Sequence, residues 1–131
     1  MSYSTYNKGG ILLEYTIEFY CTESGAEPAK EFIMSLDAKI IAKMLKIMEL
    51  LERNGPTVRM PYSEHLQDGI FEIRVKQGTN IARVLYFFVV GKKIILTNGF
   101  VKKTQKTPKA ELQKAMQYRA DYERRKKNDR V

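Results

Sequence analysis

The sequence predicts one α+β domain, a small antiparallel sheet with helices on one face, in the order β-α-α-β-β-β-α. Three observations lead there. An alternating run at residues 13–20 has the period of a half-buried strand. Apolar residues from Ile40 to Leu51 recur at helical spacing. Three β-rich runs between residues 70 and 100 are joined by loops of a few residues, which makes them antiparallel neighbours.

In Leu13–Tyr20, Tyr15, Ile17 and Phe19 alternate with Glu14, Thr16 and Glu18, and Ser24-Gly25 ends the strand. Cys21 on this strand is expected to be buried and chemically idle. Pro28 stands where a helix start tolerates proline, so Ala29–Ser35 is expected to form a short helix. Asp37 caps a longer one, with a stripe of Ile40, Ile41, Met44, Leu45, Ile47, Met48 and Leu51. Its two methionines lie on the stripe and read as core rather than as an adaptable binding surface. Asn54-Gly55-Pro56 stops the helix, and residues 57–69 read as loop.

Strands Ile70–Val75, Ile81–Val90 and Lys93–Phe100 follow, joined by Gln77–Asn80 and a tight Gly91-Lys92 turn. A last helix is expected from about Pro108, with Leu112, Ala115, Met116 and Tyr122 inward and Arg124–Lys127 fraying into a basic tail over residues 124–131. The chain reads as a single domain, 1–131, with residues 1–12 a flexible lead-in.

Hydrophobic content of 44% with 29% charged residues suits a soluble globular protein. No apolar run approaches the ~20 residues a membrane helix needs, and no secretory signal stands at the N-terminus. The cytoplasm is the expected compartment, with no membrane partner. One cysteine and one histidine cannot assemble a Cys/His metal site, and no cofactor is expected.

The net charge of +8 is unevenly placed: residues 1–99 hold 12 Lys/Arg and 11 Asp/Glu, whereas residues 100–131 hold 11 and 4. A basic face so concentrated points to a polyanion, nucleic acid first and an acidic protein second.

Strand register converts this charge into a site. Phe71, Ile73 and Val75 share one face of their strand, and Glu72, Arg74 and Lys76 the other. A four-residue Gln77–Asn80 loop sets Lys76 opposite Ile81 and Arg74 opposite Arg83. Like charges across a ladder are destabilising, so an anion between them explains the pair better than stability does. A two-residue Gly91-Lys92 turn then sets Arg83 opposite Phe100, with Lys102 one step diagonal. Arg74, Arg83 and Lys102 thus line one patch, with Glu72 among them and Lys103, Lys106 and the last helix at its margin. Tyr86 alternates to the opposite face and reads as core.

Such a face can bind RNA or cleave it. Metal-free cleavage needs the 2′-hydroxyl activated, charge at phosphorus stabilised, and a proton given to the leaving 5′-oxygen. Arginines suit the second task through bidentate contact with phosphate oxygens. For the others, Glu72 is a candidate base, and Lys102 or Lys103 a candidate if crowding by like charges lowers its pKa. His65 has a suitable intrinsic pKa but stands alone in a loop. The RNA-contacting candidates are Glu72, Lys76, Lys106, Tyr118 and Arg119, with Tyr118 and Tyr122 one helical turn apart and equally suited to stacking on bases or to core.

His65-Leu66, Gly69-Ile-Phe-Glu-Ile-Arg74, Ala82-Arg83-Val-Leu-Tyr86, Ile95-Leu96 and above all Gly99-Phe-Val-Lys-Lys-Thr-Gln-Lys-Thr-Pro108, with Ala115 beyond, carry a family resemblance. Over roughly residues 14–122 the chain resembles the RelE/HigB-like toxins of bacterial type II toxin–antitoxin systems, in the phage-derived toxin branch of the RelE/ParE superfamily. The resemblance implies a RelE-like fold and a metal-independent endoribonuclease, an mRNA interferase that cuts mRNA on the ribosome, inhibits translation and arrests growth. It also implies a cognate helix-turn-helix antitoxin, HigA-like, held in a toxin–antitoxin heterotetramer. By position, Arg74 resembles a basic group that activates or positions the nucleophile, and Arg83 the arginine that stabilises the phosphate. Lys102 or Lys103 would supply the basic group after the last strand. RelE-type toxins commonly carry lysine where Glu72 stands, and the C-terminal histidine of many HigB-type toxins has no counterpart here.

Two other functions use the same features. A ParE-like toxin binds DNA gyrase and cuts nothing; a non-catalytic nucleic-acid-binding module keeps the patch without the chemistry. Arg83→Ala, or Lys102→Ala with Lys103→Ala, is expected to abolish toxicity with little change in fold stability.

Overall fold

Apart from the connections, two periodicities build the molecule: apolar residues at every second position along the strands and at every third or fourth along the helices. A computed structural model describes residues 5–6, 12–102 and 106–129. The elements are β1 (Thr5–Tyr6), β2 (Leu12–Leu13), β3 (Thr16–Phe19), α1 (Pro28–Met34), α2 (Ala38–Asn54), β4 (Ser63–Gln67), β5 (Ile70–Gln77), β6 (Asn80–Val89), β7 (Lys93–Lys102) and α3 (Lys109–Asn128). A single 3-10 turn, Gly55–Thr57, follows α2. The order therefore differs from the expected β-α-α-β-β-β-α: a small β1–β2 pair precedes β3, and β4 lies within the stretch read as loop.

The main sheet runs β3-β7-β6-β5-β4 and is mixed rather than antiparallel. β3 pairs parallel to β7, because the chain leaves β3 through two helices and returns only in its last strand. β4 escaped notice because Ser-Glu-His-Leu-Gln is polar, as an edge strand with one covered face is free to be.

The helices also divide. α1 and α2 cover one face, packing Ala29, Ile33, Ile40, Met44, Ile47 and Leu51 against Ile73, Val75, Val84, Tyr86, Ile94 and Leu96. α3 lies on the other face, where Leu112 and Ala115 meet Ile70, Leu85, Phe87, Ile95 and Phe100. The expectation of helices on one face alone is overturned. α3 thus docks on the side opposite α2.

Met44 and Met48 are core, as their spacing requires, whereas Leu45 is exposed. Asp37 takes the N-cap position but its carboxylate accepts a bond from Gln77 Nε2 instead of capping. Gly55 ends α2 at positive φ, and the ring of Tyr15 fills the place its side chain would occupy. Gly99 admits the ring of Phe32, which brings α1 directly onto β7. Cys21 is exposed just past the end of β3 rather than buried in the strand. Arg124–Lys127, expected to fray, are helical: α3 continues to Asn128, and Arg125 bonds both Asp121 and the Cys21 carbonyl, while residues 130–131 of the tail lie outside the described residues.

Register decides where the charges fall. Arg74 pairs with Arg83 and Lys76 with Ile81, as the loop length implied, and Gln77–Asn80 adds one more pair. Arg83 also pairs with Phe100 as expected, but by compensation. The turn is one residue longer than expected, since Val89 rather than Val90 faces Lys93, and an extra residue at Thr97 restores the count. The bulge is pinned by the Thr97 hydroxyl, which donates to the Leu85 carbonyl at 3.1 Å.

Candidate functional site

Three cross-strand rows stack on the α3 face toward the hairpin end of the sheet: Glu72–Leu85–Asn98, Arg74–Arg83–Phe100, and Lys76–Ile81–Lys102. α3 covers the first row. Asn98 Nδ2 donates to the Glu111 carbonyl and carboxylate, each at 3.2 Å. The last row forms an exposed rim, with Lys76 and Lys102 on either side of a buried Ile81.

Between them the arginines are buried. Glu72 and Arg83 have no exposed surface, and Arg74 keeps 9% of its own. The anion demanded by two facing arginines is supplied from within the chain. Glu72 accepts a bond from Arg74 Nη1 at 2.7 Å and stands 3.8 Å from Arg83 Nη1. Thr107 Oγ1 donates to the second Glu72 oxygen at 2.7 Å while accepting from Arg83 Nη1 at 3.2 Å. Glu64 on β4 takes a further bond from Arg74 Nη1 at 3.3 Å, and the Arg83 guanidinium lies 5.9 Å from the Phe100 ring centre.

Burial lowers the pKa of Arg83, Glu72 opposes that shift, Arg74 adds to it, and Glu64 opposes it again. An arginine starts so high that it stays cationic throughout the working range. Truncating one member of such a group strands a buried charge, at about 3–5 kcal/mol. Arg83→Ala empties a fully buried position, so it is expected to cost stability as well as to change the patch.

The other candidates divide. Lys102 and Lys106 are exposed at the rim, and Lys103 lies outside the described residues. Lys76 is exposed beside Arg74. Tyr118 stacks on Tyr20 with ring centres 4.6 Å apart, and Arg119 donates to the Asp68 carbonyl in the β4–β5 turn. Neither is brought to the arginines. His65 Nε2 accepts the Gly69 amide at 3.3 Å and its ring meets the edge of Phe71, which engages it in the same turn. Thr107 and Glu64 were missed. A hydroxyl one residue before the helix-starting Pro108 was a usable signal for the first; the second depended on recognising β4.

Among the described residues, no group of three His, Cys, Asp or Glu side chains could hold a metal ion, and no helix is long and apolar enough to cross a membrane. Buried cations around one carboxylate, with a lysine rim beside them, are equipped for an anion rather than a metal. The family profile described as phage-derived protein Gp49-like (DUF891) matches residues 31–120, from within α1 to the middle of α3. The chain belongs to this Gp49-like family. The matched stretch contains the whole arginine cluster and its lysine rim. The family is associated with toxin–antitoxin systems. No curated protein matches the chain.

Proposed function

We propose that this Gp49-like protein is the RelE/HigB-like toxin of a toxin–antitoxin pair, and that it cleaves ribosome-bound mRNA in the cytoplasm without a metal. One observation carries the reading: Arg74 and Arg83 face each other across a ladder, one row behind a rim that ends in Lys76 and Lys102. Arg83 would stabilise the phosphate and Arg74 position the nucleophile, with Lys102, and Lys103 beyond the described residues, serving the proton transfers or the developing charge. Glu72 holds the place that a phosphate would take between the arginines, so the arrangement is a closed one. A substrate phosphate has to compete with that carboxylate and release Thr107. The ribosome favours this by presenting the RNA already held in line. A helix-turn-helix antitoxin, HigA-like and assembled with the toxin in a heterotetramer, is the proposed partner.

A second reading has its own observation. Arg83 is fully buried and its charge is already matched by Glu72, which suits a toxin that binds a target such as DNA gyrase without cutting nucleic acid. Inducible expression in a bacterium separates the two, provided the test residue is Lys102, which is exposed, rather than Arg83. Growth arrest with new mRNA 5′ ends inside translated regions, lost in Lys102→Ala, supports cleavage. Arrest with intact mRNA moves the function to the second reading.

A further inference from the structure

α2, the Met60–Tyr62 bend and the end of β5 line a groove of about 520 Å³ that touches the arginine cluster only through Arg74. Its apolar lining comprises aliphatic Ile47, Val75 and Ile81 together with Met60, Pro61 and Tyr62. Met60 and Tyr62 are 56% and 48% exposed, large side chains left open beside a concavity. The rim is cationic: Lys43 and Lys46 from α2, Lys76 and Arg74 from β5, with no carboxylate among the described lining residues. Arg74 is already paired with Glu72 and Glu64, but Lys43, Lys46 and Lys76 place three like charges around one apolar hollow, and a visiting anion relieves their repulsion.

We propose that this groove docks an acidic amphipathic segment of a protein partner, apolar side chains on the apolar lining and carboxylates against the lysines. Charge alone would admit RNA equally. The lining decides otherwise, because unpaired bases seek flat aromatic faces, and Tyr62 is the one ring among these described residues. A concavity lined by aliphatic side chains and a methionine suits leucine or isoleucine presented from a helix. Arg74 lines the groove and also bonds Glu72 and Glu64, so a docked carboxylate approaches a cation that belongs to the cluster. Docking here is therefore felt at the Arg74–Arg83 row. That the partner is the neutralising antitoxin rests on the toxin reading above; the chemistry of the groove does not.

The full chain is titrated by calorimetry with three probes of about 15 residues or nucleotides each. One is a helical peptide with leucine at positions i, i+3, i+4 and i+7 among glutamates; one is its lysine-for-glutamate counterpart; one is oligouridine. The acidic peptide is expected to bind, with affinity falling as salt rises, and the basic peptide not to bind. Lys43→Glu with Lys46→Glu, both exposed on α2, is expected to weaken binding at least about tenfold, and Met60→Glu to weaken it independently. Failure of the acidic peptide to bind, equal binding by these variants, or its displacement by oligouridine overturns the proposal. Growth arrest is scored separately with the same variants: loss of arrest in wild type sinks the toxin reading, whereas arrest without peptide binding sinks the groove alone.

Discussion

On the face covered by α1 and α2, Ile73, Val84, Ile94 and Leu96 are buried among other apolar side chains. On the opposite face, at the same depth, Glu72 and Arg83 are buried against one another. The first face gains from every Å² taken out of water, without regard to direction. The second stands only while each charge keeps its partner, so its tolerance of change is narrower and its errors are costlier. Adjacent residues of a single strand, Glu72 and Ile73, thus live under different rules because the pleat sends them to opposite sides.

This contrast can be broken or sharpened by measurement. The largest effect is expected from Glu72→Leu, about 3–5 kcal/mol of lost stability in chemical denaturation, because Arg74 and Arg83 are left as facing buried cations without the carboxylate they share. Removing Arg83 as well, with Glu72→Leu and Arg83→Met, should cost less than Glu72→Leu alone, because it takes away one of the two facing cations; additive losses would show that the pair is not coupled. On the other face Ile73→Ala should cost about 2–5 kcal/mol by opening a cavity, with no rescue from any second truncation nearby.

Thr107→Val comes next, at about 1–2 kcal/mol, since it removes a hydroxyl that joins Glu72 to Arg83 while keeping its volume. If the closed arrangement restrains activity, the same variant should also arrest growth at lower expression.

A fourth test uses alkaline pH. Burial pushes Tyr86 up to about 12, and burial together with Asp121 pushes Tyr20 to about 12, from an ordinary value of 10.0. The folded state keeps these protons while the unfolded chain loses them, so stability is fully present below pH 10 and falls as pH rises from 10 towards 12. Thermal melts across that window should show a steep decline, made shallower by Tyr86→Phe. The smallest stability effect is expected from Lys102→Ala, within about 0.5 kcal/mol, because the side chain is exposed. Its effect on growth arrest should nonetheless be large, and a full loss of arrest with an unchanged melt would place function on the rim.

Much of this was legible beforehand. The stripe of α2, the three long strands and the facing of Arg74 with Arg83 followed from periodicity and loop length. The pairing of Arg83 with Phe100 came out as expected only because the longer turn and the Thr97 bulge offset each other. Leu45 shows the limit of a stripe, for its spacing matches the core while the surface it faces has nothing to cover it. The sequence places Glu72 within the arginine patch as a candidate base and RNA contact, and nothing along the strand reveals that it is the anion the arginines share.

The sequence by itself determined β3, the three long strands β5 to β7 and the helices, because those depend on neighbours two to four positions apart, whereas β4 and the β1–β2 pair carry no such period. It also determined the basic C-terminal quarter, a matter of composition. Tertiary structure alone decided that β3 joins parallel to β7, that α3 takes the opposite face, and that Thr107 closes over Glu72. The first and last of these join segments 35 or more positions apart, as Thr107 is from Glu72, and such encounters are settled by which surfaces must leave water together. Whether a charge on a strand is a solvated side chain or a buried partner is decided at that level.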